Sequence, residues 1–277
     1  MTTEILNNLD LLLPPLPEQQ AIAQILSSLD DKIELNLQMN KTLEEMAMIL
    51  YKHWFVDFGP FKYGQFIDSA LGSIPKGWEV KKMGELVDLK QGLAINKKTS
   101  HLLCEKNDDS IPLFKIRDLL QDTVEHYVRR DEVPKQCIAD ESDLIFSRTG
   151  QVGHVFRWKK GCVHNNCFKI IPTKELNKEY LYQFLIDPKF RQFANEIASG
   201  SVQKDLNHST FKNIPFLLPP LELQLKFDEI VSPTIVGINE NRKENRTLTA
   251  LRDTLLPKLI SGEVRVKDVE QTVAEAL

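Results

Sequence analysis

The chain has 277 residues, 42% of them hydrophobic, and a formal net charge of −4. That length and apolar content support a full hydrophobic core with room for a second substructure, which excludes a disordered chain. The acidic balance argues against non-specific nucleic-acid binding by the whole surface, and no run reaches the roughly eighteen apolar residues of a membrane-spanning helix.

The N-terminus, MTTEILNN, lacks a basic region followed by an apolar one, so no secretory signal is expected and the location expected is cytoplasmic. Residues 1–17 read as an extended lead-in, because Pro14 and Pro15 cannot continue a helix. A first long helix is expected within residues 18–58, running from Gln19 to about His53. At alternating spacings of four and three its seam reads Ile22, Leu26, Leu29, Ile33, Asn36, Asn40, Leu43, Ala47, Leu50 and Trp54. Apolar heptads sustained this far predict a coiled coil, and polar residues inside such a seam fix register at the expense of stability. Residues 59–73 then form a linker.

Residues 74–213 are expected to form a globular head. The segments 111–117, 143–148, 153–157 and 168–172 are β-rich runs bounded by turns and predict strands, whereas 176–186 and 190–198 predict helices. This segment carries 23 Lys and Arg against 19 Asp and Glu, whereas the flanking arms carry 12 against 20. A basic head between acidic arms suits contact with phosphates in one place only. Several turns set basic or amide side chains beside glycine: Lys90-Gln91-Gly92, Arg148-Thr149-Gly150-Gln151 and Gly200-Ser201-Val202-Gln203-Lys204. Glycine allows close backbone approach, Arg can bond guanine through two hydrogen bonds, and Gln can do the same to adenine. Lys90, Gln91, Lys97, Lys98, Arg117, Arg148, Thr149, Gln151, Lys204 and His208 are the candidates for contact with DNA. Phosphate positioning is expected of the lysines, and base reading of Arg148 and Gln151.

Residues 214–223 form a second Pro-rich lead-in, residues 224–261 a second long helix, and residues 262–277 a tail. The segment from Leu12-Leu13-Pro14-Pro15-Leu16 to Leu50 returns without a gap as Leu217-Leu218-Pro219-Pro220-Leu221 to Leu255. The repeat aligns Gln19 with Gln224, Asn36 with Asn241 and Asn40 with Asn245, so the polar pair occupies the same place in both seams. Two copies bracketing an unrepeated middle describe spacers around a head rather than a solenoid, which needs adjacent copies. Arg252, at the position of Ala47, breaks the second seam and predicts solvation or re-pairing there.

The order of these motifs resembles a specificity subunit of a type I restriction-modification system. The resemblance rests on Ile74-Pro75-Lys76-Gly77-Trp78-Glu79, Ile111-Pro112-Leu113-Phe114-Lys115-Ile116-Arg117-Asp118-Leu119, Asp143-Leu144-Ile145-Phe146-Ser147-Arg148-Thr149-Gly150, Ala198-Ser199-Gly200-Ser201-Val202-Gln203-Lys204, Asn213-Ile214-Pro215, and the repeated Pro-Pro-Leu helices with Gln19 and Gln224. It implies an α+β or α/β target recognition domain flanked by two long helices that pair as a coiled coil, and double-stranded DNA, methyltransferase subunits and motor/nuclease subunits as partners. Such subunits usually carry two recognition domains. Here one is expected, with Asn7-Asn8-Leu9 standing where Lys212-Asn213-Ile214 stands later, as in a half-subunit that becomes complete as a homodimer. A fragment needing a different partner, or an assembly adaptor that modulates an intact specificity subunit by exchanging helices, are the alternatives.

No catalysis by the chain itself is expected. It lacks the Asn-Pro-Pro-aromatic tetrapeptide of DNA adenine methyltransferases and a phosphate loop of the Gly-x-x-x-x-Gly-Lys-Ser/Thr type. No cofactor is expected, and Cys162-Val163-His164-Asn165-Asn166-Cys167 lacks the second pair of ligands that would complete a zinc tetrahedron. Cys104, Cys137, Cys162 and Cys167 are expected as reduced thiols.

Overall fold

A computed structural model describes residues 14–201, 203–269 and 273. Its elements in chain order are α1 (Leu16–Phe55), β1 (Phe66–Ser69), β2 (Gly72–Pro75), β3 (Glu79–Lys82), α2 (Met83–Leu86), β4 (Val87–Gln91), β5 (Leu103–Cys104), β6 (Ser110–Phe114), α3 (Ile116–Gln121), β7 (His126–Arg129), β8 (Ile138–Ala139), β9 (Leu144–Ser147), β10 (Val155–Phe156), β11 (Gly161–Val163), β12 (Cys167–Pro172), α4 (Lys178–Ile186), α5 (Pro188–Ile197), α6 (His208–Lys212), β13 (Pro215–Leu218) and α7 (Leu221–Ser261). Two compact units divide the chain: Ala47–Ser232, and the described parts of Met1–Met46 with Pro233–Leu277. The Asn7-Asn8-Leu9 stretch lies outside the described residues.

The helical unit pairs the repeated segments of a single chain. Both helices follow a Pro-Pro step and place an acid in the first turn (Glu18, Glu222) and a base in the last (Lys52 and His53, Lys258), the arrangement that complements the helix dipole. Ile22, Leu29, Leu248, Leu255 and Leu259 form the apolar seam, joined by Val266 and Val269. Contacts run in opposite senses along the two helices: Glu18 meets Arg265, Asp30 meets Arg252, Asn36 meets Asn245, Asn40 meets Asn241 and Glu44 meets Arg242. The pairing is therefore antiparallel. The Asn36 amide donates to Asn245 Oδ1 at 2.9 Å and Glu244 Oε2 at 2.7 Å, Asn241 donates to Asn40 Oδ1 at 2.9 Å, and Asn245 donates to the Ile33 carbonyl at 3.2 Å. The repeat carries the Asn36–Asn245 contact onto Asn241–Asn40, so the polar layer is its own image under a local two-fold axis. Arg252 leaves the seam to bond Asp30 at 2.7 Å and its neighbour Asp253 at 2.8 Å.

The second unit is the head with the helix ends that enter its core. One four-stranded antiparallel sheet has the order β10-β9-β12-β4, and a five-stranded sheet has the order β5-β7-β6-β11-β8, with β11 parallel to β6. β9 is buried at every position because both its faces are covered. Leu144 and Phe146 pack with Phe168, Phe190 and Phe211 beneath α4 to α6, whereas Ile145 meets Phe114, Leu119 and Val163 from the other sheet's side. Tyr51 and Phe55 of α1 and Phe227 of α7 complete the larger core, with the Phe55 ring 4.5 Å from Tyr180 and 5.1 Å from Phe227. Gln224 is fully buried: its carbonyl accepts from the Asn177 N–H at 2.8 Å and its amide donates to the carbonyls of Pro219 at 2.8 Å and Glu175 at 3.2 Å. Its repeat counterpart, Gln19, makes the same bond to Pro14 at 2.7 Å but is exposed.

The strand expected over residues 111–117 ends at Phe114, and α3 follows. The Asp118 carboxylate, fully buried, accepts the Lys115 N–H at 3.0 Å and caps the turn.

Candidate nucleic-acid interface

Two glycine loops meet at the end of the four-stranded sheet. β9 runs out into Arg148-Thr149-Gly150-Gln151, which reverses with Gly150 at φ 74° and Gly153 at φ 89°, values that favour glycine. Ser147 Oγ closes the turn on the Gln151 carbonyl at 2.5 Å, and Val152 anchors it in the core. The second loop, residues 199–206, is pinned by mutual backbone bonds between Ser199 and Asp205 and by buried Leu206. The Gly150 N–H donates to the Lys204 carbonyl at 2.8 Å and the Leu206 N–H to the Arg148 carbonyl at 2.9 Å, which joins the loops as a short ladder.

Five of the ten candidates converge there. Arg148 donates to Asp205 Oδ2 at 2.6 Å and more weakly to Gln91 Oε1 at 3.4 Å, and Thr149 donates to Asp205 Oδ1 at 2.8 Å. The Gln91 amide is fixed from its other side by donation to the Asn165 carbonyl at 2.5 Å. His208 begins α6 beside Asn207, whose side chain caps that helix by accepting from Thr210 N–H at 2.9 Å, and its ring stands perpendicular to that of Phe168 with the centroids 4.9 Å apart. Burial first, then the charges of Arg148 and Lys212, hold His208 below the usual histidine range. Its Nε2 and the Nε of Arg148 are buried without a hydrogen-bond partner in the structure. Lys204 donates to the Asn195 carbonyl at 2.9 Å.

Of the other candidates, Gln151 shares the first loop and four lie on other segments. Gln151 is exposed at the tip of the first loop. Lys97 and Lys98 are exposed on a turn in which Asn96 Oδ1 accepts the Lys98 N–H and Thr99 Oγ1 accepts the Asn96 N–H, each at 2.9 Å. Lys90 pairs with Asp88 at 2.5 Å, and Arg117, on α3, pairs with Glu125 at 2.8 Å.

Three further residues of this region are not apparent from the sequence. Asp205 joins both loops. Arg191 of α5 lies against the ring of His154 beside the Gly150 turn, and Asn195 donates to the Val152 carbonyl at 2.9 Å. An acid following Lys204 in an otherwise basic loop is the one local signal for Asp205, whereas Arg191 and Asn195 lie one helical turn apart on an amphipathic helix and reveal their role only through packing.

Burial pushes the thiols of Cys162 and Cys167 up to about 12, which makes them poor nucleophiles and ligands. Among the described residues no group of three His, Cys, Asp or Glu side chains is placed to hold a metal ion, and no helix is long and apolar enough to cross a membrane.

The family profile "Type I restriction modification DNA specificity domain" matches residues 1–45 and 75–248. The chain is 30% identical over 273 residues to the type I restriction enzyme MjaIX specificity subunit of Methanocaldococcus jannaschii, covering 92% of this chain and 61% of that protein. It is 26% identical to the HindI specificity subunit of Haemophilus influenzae, covering 95% of this chain and 71% of that protein. The crystal structure of a type I restriction-modification S subunit from M. genitalium superposes with a TM-score of 0.55 at 18% identity, covering 88% of this chain and 61% of the other, and shares the fold.

Proposed function

The chain belongs to the type I restriction modification DNA specificity family, and from that premise we propose that its head reads a short half-site in duplex DNA while its helices serve as spacer and assembly platform. The observation that carries the reading is that the family match covers most of the first helix and then runs unbroken through the head and most of the second helix. The joined glycine loops supply the reading edge, with Arg148, Gln151 and Thr149 toward bases and Lys97, Lys98 and Lys204 toward phosphates. Lys90, Gln91, Arg117 and His208 complete the proposed contact set. The four asparagines of the helical pair act in this reading as register residues.

The chain spans 61% of the M. jannaschii relative, and one head lies among its described residues. Two copies in a homodimer would supply two heads in opposite orientation, so the proposed target is an interrupted palindrome. A seam of about 35 residues is on the order of 50 Å long, which limits the half-site centres to roughly fifteen base pairs apart. Methyltransferase subunits would modify adenines at that target and motor/nuclease subunits would cleave unmodified DNA, the chain itself being non-catalytic. Mapping methylated adenines in cells with and without the gene tests this. A motif that depends on the gene and reads as an interrupted palindrome supports the proposal. An asymmetric motif means that a different head completes the reader, and an unchanged map removes the DNA-reading role.

A further inference from the structure

Arg148 and Asp205 form a charge pair at the mouth of the joined loops, their side chains 21% and 33% exposed. A phosphate approaching the Arg148 guanidinium would meet the Asp205 carboxylate within hydrogen-bond distance of the same group, so attraction and repulsion largely cancel. A neutral acceptor edge, such as N7 and O6 of guanine, meets no such repulsion and still finds a planar donor. The guanidinium is also fixed in direction. Asp205 holds one terminal nitrogen at 2.6 Å, and Gln91, itself clamped to the Asn165 carbonyl, approaches the other at 3.4 Å. Asp205 further holds Thr149 at 2.8 Å, and its own backbone is tied to Ser199 by two hydrogen bonds. Its carboxylate is thus placed by the second loop and acts on the first.

We propose that Asp205 is the positioning residue that sets DNA specificity, converting Arg148 from a phosphate binder into a base reader. The inference rests on the DNA-reading role proposed above. Removing the Asp205 charge frees Arg148 for phosphates, so Asp205→Asn exchanges specific affinity for non-specific affinity. A residue needed only for loop structure would weaken both together.

The test measures binding of the purified full chain to a duplex bearing the motif assigned by methylation mapping and to the same duplex with the motif scrambled. It compares wild type, Asp205→Asn, Arg148→Ala, the double variant and Arg148→Lys across a salt series. For Asp205→Asn the expected result is a loss on the order of tenfold or more on the mapped motif. Affinity for the scrambled duplex is expected to rise, with a salt dependence steeper by about one released counterion. In the Arg148→Ala background, Asp205→Asn should shift both duplexes alike, by relief of the carboxylate's repulsion of phosphate, and should leave the preference between them unchanged. Arg148→Lys, which keeps the charge and loses the planar fork, should likewise lose preference for the motif while retaining scrambled binding, and a retained preference there overturns the proposal even if Asp205→Asn does not fold. Equal weakening of both duplexes by Asp205→Asn, or an undiminished loss of motif preference on Asp205→Asn without Arg148, overturns the proposal. Wild type showing no preference for the motif overturns instead the DNA-reading role on which it rests.

Discussion

Replacing Asn36 alone by Leu should destabilise the helical pair, whereas replacing Asn36, Asn40, Asn241 and Asn245 together should stabilise it. Asn36 is 1% exposed and donates to two acceptors, Glu244 at 2.7 Å and Asn245 at 2.9 Å. The single variant leaves Asn245 Oδ1, in a side chain 9% exposed, without its donor. An orphaned buried acceptor costs about 1–3 kcal/mol. The bond to Glu244 adds little, because that carboxylate is over a third exposed. The new Leu methyl groups recover about 1 kcal/mol of burial, so a net loss of up to about 2 kcal/mol is expected. In the quadruple variant these amides no longer face one another. The Ile33 carbonyl loses only its supplementary bond from Asn245, and four apolar side chains line the seam, a gain of about 2–4 kcal/mol after partial exposure is allowed for. Urea denaturation followed by circular dichroism, with light scattering for stoichiometry, measures both effects. A single variant more stable than wild type would refute the cost assigned to the orphaned acceptor. If the quadruple variant stays a single species with unchanged assembly, the asparagines do not set register.

The Arg157–Glu179 pair, with side chains 5% and 9% exposed and two bonds of 2.6 Å, should lose about 3–5 kcal/mol on Arg157→Met, which strands a buried carboxylate. The double change to Met and Leu should recover most of it, as judged by thermal melting. His154, His164 and His208 are all held below the usual histidine range, burial being the largest cause in each. The unfolded chain therefore binds more protons near and below pH 6.5, so stability should fall as pH drops through 6.5 and level off below the folded-state values. A wild-type melting temperature that does not fall between pH 7.5 and about 5, or a fall undiminished in a variant carrying His154→Phe, His164→Asn and His208→Asn, would contradict this. Lys97→Ala with Lys98→Ala should weaken mapped and scrambled duplexes alike and reduce the salt dependence by about two counterions, as measured by binding across a salt series.

The long helices are legible in the sequence because heptad spacing and the Pro-Pro steps are local signals, and the repeat doubles them. In the head, the runs at 143–148 and 168–172 are visible because β9 and β12 are mostly apolar and buried, Leu144-Ile145-Phe146 in one and Phe168 with Ile170 in the other. β5, β8 and β10 are two residues long, too short for any alternation to register. The turn to α3 is hidden because Ile116 continues an apolar strand pattern, and the decisive event is the Asp118 cap. Arg148 and Gln151 stand out from their own neighbours, but the acid that holds Arg148 lies far along the chain and becomes its partner only when the loops close. Local chemistry announces the donors, and only topology reveals what orients them.

The local two-fold axis of the helical pair also determines what tells like from unlike. Each helix carries both halves of the asparagine layer, so two first helices, or two second helices, from separate chains could meet antiparallel and rebuild it. The ion pairs Asp30–Arg252, Lys32–Glu244 and Glu44–Arg242 have no such freedom. The repeat places Ala47, Met39 and Leu37 where Arg252, Glu244 and Arg242 stand, and Ile235, Gly237 and Thr249 where Asp30, Lys32 and Glu44 stand. A homotypic pair therefore loses all three. Exposed pairs contribute at most about 1 kcal/mol each, so the preference is on the order of 1–3 kcal/mol. It is also the part most sensitive to ionic strength. High salt should blur the distinction between the two helices while leaving their alignment intact.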